Sequence, residues 1–476
     1  MMEGTTHHER LSALDASFLE IEDESSHMHV AAALLFDDAP LQMAHGSLDM
    51  ERIRAYIESR LHLIPRYRQR LAYIPIEGHP VWVDDQRFNL FYHVRHSALP
   101  RPGAERQLKR LCGRILSQKL DRTKPLWEIW VVEGVEGARF ALVAKVHHAM
   151  VDGISGMDLL TALLSPGPTG TFEPGPPWQP RPAPLPRDLL LSELRRRAAG
   201  VTAVLGAGAR AMAEPLRSLA AAWEGGRSIL ETLGPGSWPA SPTPLNTVIG
   251  PHRRFDWLRM SLDDVKRVKN SLGGTVNDVV LATVVGAARR FLETRGARLD
   301  GLDFRAMVPV SLRDTAQRGQ LGNRVANFIA ELPIGERDAA TRYRRVVEAT
   351  VRQKQSRAVQ GAELIESLGD WTATAVLSQL IRLATSRLAY NVVVTNVPGP
   401  QIPLFLLEAP LRETYPMVPL FQNQAVGVAL FSYAGALFWG LNADWDAIPD
   451  LHDLALALRE EFGALCRLAG SKAFAA

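Results

Sequence analysis

A chain of 476 residues is longer than one ordinary hydrophobic core serves, so two domains are expected. Hydrophobic residues at 46% and charged residues at 22% suit a globular enzyme, and a net charge of +3 gives no bulk reason to expect nucleic acid. The only cysteines are Cys112 and Cys466, far apart in sequence, so a disulfide framework is not indicated and a reducing cytosol fits.

The opening MMEGTTHHER lacks the apolar core of a signal peptide. No run approaches about 18 uninterrupted apolar residues, so any membrane contact is expected to be peripheral. A pI near 8.9 leaves room for a basic patch facing an anionic cofactor or a lipid surface.

The first folded segment is LSALDASFLE, followed by an apolar run from Val30 to Phe36 that predicts a strand. A helix is expected from Met50 to about His62. In IPRYRQRLAYIP, Arg66, Arg68 and Arg70 alternate and would share a face if the segment is extended. They then form a solvated basic edge, or one of them braces a buried carboxylate. Residues 104 to 120 predict an amphipathic helix on Leu108, Leu111, Cys112, Ile115 and Leu116, with Cys112 in the core. Next comes a strand entered through Pro125, where Pro125, Leu126 and Trp127 fix an entry angle and fill volume.

The run KVHHAMVDGISG, from Lys145 to Gly156, stands between a buried strand and a helix ending at Leu164. Strand alternation sends His147 and His148 to opposite faces. An imidazole titrates near neutrality and can serve as a general base. His148, leaving the strand, is the candidate base, and His147 is positional. Asp152 either holds the imidazole or pairs with an arginine that braces the loop. Gly153 permits a close backbone approach. Adjacent strand histidines with no nearby Cys-x-x-Cys or His-x-x-x-His set argue against zinc.

Residues 165 to 187 are dense in proline and glycine and read as an interdomain linker. The Ala/Leu/Arg-rich stretch from Asp188 to about Leu233 fits a packed helix pair or an arm lying on a lipid surface. Ser261 caps a helix that Gly273 and Gly274 end, and a second helix starts at Thr275 or Asn277. Strands are expected in FRAMVPVSLRD, ANFIAELPI and YNVVVTNVPGP, with a basic amphipathic helix over residues 339 to 354. Arg313 is a second candidate partner for Asp152. The tail predicts two strands linked through Tyr433 to Gly435, then a helix from about Pro449 to Leu468.

His147, His148, Asp152 and Gly153 match the H-H-x-x-x-D-G motif of the CoA-dependent acyltransferase superfamily. Met28 and His29, the Pro125-Leu126-Trp127 triplet, Asn277 with Asp278, and the Asn-Val-Pro-Gly-Pro run from Asn396 narrow the likeness. The chain resembles bacterial wax ester synthase/diacylglycerol acyltransferases nearly end to end. That resemblance implies an α/β protein of two chloramphenicol acetyltransferase-like layered domains, each a mixed sheet with helices. The active-site channel would lie between them. The expected division is residues 1–164, a linker and arm at 165–250, and residues 251–476.

The resemblance further implies acyl-CoA as co-substrate, no permanently bound cofactor, and a diacylglycerol or long-chain alcohol as acceptor. It places Asn277 and Asp278 in or beside the site, with Asn396 at the rigid turn of its motif; Arg66 and Arg313, from their positions alone, are candidate supports for Asp152. A cytoplasmic protein is expected, peripheral on the inner membrane face or on lipid inclusions. A Gly-x-Ser-x-Gly elbow is absent, which disfavours a lipase-like serine. Two alternatives are an acyltransferase acting on a polyketide-type diol and a non-catalytic lipid-binding or lipid-droplet protein.

Overall fold

The structure, a computed structural model, describes residues 7–150, 158–198, 239–311, 325–355 and 389–473. In chain order the first half supplies β1 (Glu9–Arg10), α1 (Ala13–Ile21), β2 (His29–Asp37), α2 (Met50–Arg60), β3 (Gln69–Tyr73) and β4 (Pro80–Asp84). It continues with β5 (Val94–Ala98), α3 (Glu105–Leu116), β6 (Trp127–Val135), β7 (Arg139–His147) and α4 (Asp158–Leu163). The second half supplies β8 (Arg253–Ser261), α5 (Leu262–Leu272), α6 (Val276–Thr294), β9 (Phe304–Ser311) and β10 (Val325–Leu332). It ends with α7 (Ala339–Gln355), β11 (Val392–Pro398), β12 (Phe405–Leu406), β13 (Ala409–Met417), β14 (Val426–Tyr433), β15 (Ala436–Asp444) and α8 (Leu451–Ala473).

Two six-stranded sheets organise these elements, in the orders β12-β13-β2-β7-β6-β5 and β10-β9-β11-β14-β15-β8, beside a small sheet β1-β4-β3. The second sheet is mixed: β11 runs parallel to β14 and β9, and its other pairs are antiparallel. Layered α/β architecture is therefore present in both halves. The sheets do not divide where the linker does. Residues 405–417, from the C-terminal half, leave their own sheet and extend the first one, β13 pairing with β2 from Leu411↔Phe36 to Met417↔Ala31.

Close backbone approach locks the halves together. A Cβ at Gly440 on β15 would fall 1.7 Å from the Pro416 carbonyl oxygen on β13, and one at Gly113 on α3 would fall 2.6 Å from that of Arg253. Only glycine fits either position. Trp257 of β8 stacks on Tyr415 of β13 at 4.6 Å, which is aromatic packing across the seam.

Local signals in the sequence match several elements. Ser261 accepts the Asp264 amide and starts α5, which ends at Gly273 with φ of +86°. Of the two candidate caps for α6, Thr275 holds the place. In the β14–β15 hairpin Ala434 and Gly435 have φ of +44° and +80°, the left-handed pair that suits strand twist. Leu108, Cys112, Ile115 and Leu116 of α3 are buried, and burial pushes the Cys112 thiol up to about 12. Each such aliphatic side chain contributes about 1.5–3 kcal/mol.

The three arginines of the 66–70 segment do not share a face. Pro65 opens a short 3-10 turn through Arg68, and β3 begins only at Gln69. Arg66 bonds Glu9 and Gln69 and lies over the Trp82 ring, whereas Arg68 is buried against the Glu58 carbonyl and Trp178. The linker is irregular as expected, and it is docked: Trp178 donates to the Asp85 carbonyl and Arg181 grips Asp84. Residues 186–198 are helical, with Leu189 buried beside Ile74, Val81 and Val83 on the small sheet. The rest of the expected arm lies outside the described residues.

Candidate active site

Strand register builds the site. β2, β7 and β6 lie side by side with His29 opposite His147 and Trp127 opposite Val146. The His147 amide donates to the Leu126 carbonyl at 2.9 Å, so the Pro-Leu-Trp triplet and the histidine pair are tied through the backbone. Trp127 is fully buried, its indole N–H donating to the Tyr67 carbonyl at 2.8 Å and its ring stacked on His93 at 4.6 Å.

His147 ends β7 and is buried at 1% exposure, while His148 opens a 3-10 turn through Met150 and is only half-buried. The His148 amide donates to the Met28 carbonyl at 2.7 Å, which pins the turn to the chain just before β2. Its ring lies on Phe18 of α1, centroids 3.9 Å apart, and its Nδ1 has no hydrogen-bond partner among the described residues. Burial first, then the neighbouring His147, pushes its pKa down to about 4. The ring is therefore neutral at pH 7 and able to accept a proton.

Behind this turn lies a buried polar cluster that sequence reasoning missed. Glu22, the residue after α1, faces His29 at 3.3 Å and His147 at 3.8 Å, and accepts two N–H bonds from Arg122. Burial raises its carboxyl, but the His147 and His29 ring edges that face it outweigh that and hold it well below the usual range. Lys145, on the same face of β7 as His147, donates to the Ile115 and Gln118 carbonyls, and burial lowers it to about 8. No set of three His, Cys, Asp or Glu side chains among the described residues is arranged to hold a metal ion.

The second half brings together two motif residues. Asn277, in the first turn of α6, accepts at Oδ1 from Asn396 Nδ2 on β11 at 2.6 Å, which leaves its own Nδ2 as a donor. Asp278 turns inward, capping the Thr275 amide and accepting the Thr350 hydroxyl at 2.6 Å. Asp152, Gly153 and Arg313 lie outside the described residues.

Burial of so many imidazoles makes stability depend on pH. His29 is pushed down to about 3 and His148 to about 4, and His27, His79, His93 and His147 are also lowered, in each case chiefly by burial. In the unfolded chain these rings take up protons near pH 6.5. Below that point the unfolded state holds more protons, so stability falls as pH drops from about 6.5 toward 4. Each proton of difference steepens the loss by about 1.4 kcal/mol per pH unit. Urea midpoints should be level above pH 7 and fall steadily below 6.5; a midpoint unchanged at pH 5 would refute the buried neutral rings.

Residues 11–280 match the wax ester synthase/diacylglycerol acyltransferase catalytic domain, and residues 321–465 match the C-terminal domain of the same group. The chain belongs to the wax ester synthase/diacylglycerol acyltransferase family. It is 32% identical to a Mycobacterium tuberculosis protein named "probable diacylglycerol O-acyltransferase", covering 96% of this chain and 95% of that one. It is 30% identical to O-acyltransferase WSD of Acinetobacter baylyi, covering 95% of each. The wax ester synthase/diacylglycerol acyltransferase of Marinobacter aquaeolei VT8 superposes with a TM-score of 0.68 at 28% identity, covering 97% of this chain and all of that one. A condensation domain of the calcium-dependent antibiotic synthetase shares the fold alone, at 16% identity and a TM-score of 0.56.

Proposed function

We propose that this wax ester synthase/diacylglycerol acyltransferase moves a long-chain acyl group from acyl-CoA to the hydroxyl of a diacylglycerol or long-chain alcohol. The carrying observation is the His148 ring, neutral at pH 7, half-exposed at the end of β7 and resting on Phe18. His148 takes the acceptor hydroxyl proton as its oxygen attacks the thioester carbonyl. The new C–O bond forms, the C–S bond breaks, and the imidazolium returns the proton to the CoA sulfur. Atoms balance with no further reactant, and no acyl-enzyme is formed. The two substrates enter from opposite sides between the halves. The protein works in the cytoplasm, in peripheral contact with a membrane or lipid inclusion; no single helix among the described residues is long and apolar enough to cross a bilayer.

Asn277 is the proposed oxyanion donor, its amide oriented by Asn396. Asn277→Ala should lower kcat about a hundred- to a thousandfold with little change in KM, read by steady-state kinetics. An unchanged kcat removes Asn277 from the mechanism. The function itself is tested by offering labelled palmitoyl-CoA with dioleoylglycerol or hexadecanol and separating the lipids. Labelled triacylglycerol or wax ester is expected. Bound palmitoyl-CoA with no ester from either acceptor would favour a lipid carrier instead.

A further inference from the structure

The Ala149 amide donates to His147 Nδ1 at 3.0 Å. A ring nitrogen that accepts carries no hydrogen, so the neutral ring holds its proton on Nε2. That edge is buried and looks at the Glu22 carboxylate, 3.8 Å away. The opposite tautomer would set N–H against the Ala149 N–H and a lone pair against a carboxylate, two repulsive contacts in place of two attractive ones.

Glu22 is itself fixed. Its side chain is 3% exposed, Arg122 donates to it through Nε at 3.2 Å and Nη2 at 2.7 Å, and His29 stands at 3.3 Å. It directly follows α1, and Phe18, one turn back, lies under the His148 ring. One helix end therefore meets both rings of the histidine pair.

We propose that Glu22 is the positioning carboxylate of the catalytic turn. It selects the Nε2–H form of His147, whose Nδ1 then holds the Ala149 amide and so sets the turn that carries His148. Glu22 touches no reacting atom; it acts through His147. This inference rests on His148 being the base, but the tautomer of His147 can be measured without any turnover.

Histidine labelled with nitrogen-15 in the full-length protein, followed by long-range proton–nitrogen correlation, reads that tautomer, with His147→Ala supplying the assignment. The wild type should show the proton on Nε2, and Glu22→Ala a mixture of forms. In Glu22→Ala kcat should fall about tenfold to a hundredfold, with KM for palmitoyl-CoA within about twofold, as for a misplaced catalytic group. Glu22→Gln, which keeps an acceptor oxygen, should recover part of the rate. A wild-type proton on Nδ1 overturns the proposal, as does wild-type kcat in either variant. Should Glu22→Ala not fold, the wild-type tautomer and Glu22→Gln decide. If His148→Ala kept its activity while His147 held the expected tautomer, the base assignment would fail separately.

Discussion

Replacing His148 with alanine should lower acyl transfer at least a hundredfold while leaving the fold intact. General acid–base catalysis by a positioned side chain contributes about a hundred- to ten-thousandfold, which sets the scale. The ring is a safe one to remove. Its Nδ1 bonds to nothing among the described residues, and the backbone bond from its amide to Met28 survives substitution. Losing the Phe18 stack costs about 0.5–1.5 kcal/mol, small against a typical folding free energy. The checks are initial rates of ester formation and a urea midpoint near that of the wild type. His147→Ala is different in kind. It leaves the Ala149 amide and the Glu22 carboxylate without their ring, so stability should suffer together with rate.

Trp127→Ala should cost about 3–5 kcal/mol of stability, as deleting a buried aromatic ring typically does. The indole is fully buried, stacked on His93 and edge-on to Tyr67. Its N–H donates to the Tyr67 carbonyl, so removal also loses a buried hydrogen bond. Trp127 lies opposite Val146, one residue before the histidine pair, and any tilt of β6 would be felt at the turn. Chemical denaturation should show the loss, while the folded fraction keeps kcat within a few-fold. A variant that stayed as stable as the wild type but lost its activity would give Trp127 a direct role instead.

Short-range features were legible in the sequence because short-range physics decides them. Strand alternation alone separates His147 from His148, and the structure buries the first and half-exposes the second. The Ser261 cap, the glycine stop at Gly273 and the Tyr433–Gly435 hairpin follow from turn and cap chemistry. Phase errors arose where one residue resets the backbone. Pro65 starts a helical turn, so Arg66, Arg68 and Arg70 diverge although they alternate in sequence.

Long-range pairings were hidden for a different reason. Nothing local in Ala409–Met417 says that it joins β2 rather than its sequence neighbours. Glu22 sits in an acidic run that carries no motif, and only β2 and β7 lying side by side turn it into the partner of His29 and His147. Spacing near the motif drew attention to Asp152, and the distant carboxylate carried no signal except its place seven residues before His29.

Direct passage of the acyl group from sulfur to alcohol, with an imidazole moving the proton, is tested most plainly by mixing wild-type enzyme with palmitoyl-CoA and following free thiol. Without acceptor there should be no burst. Once dioleoylglycerol or hexadecanol is added, thiol and ester should appear one for one. A burst of thiol equal to the enzyme concentration before any alcohol is present would mean a covalent acyl-enzyme, and would contradict the account.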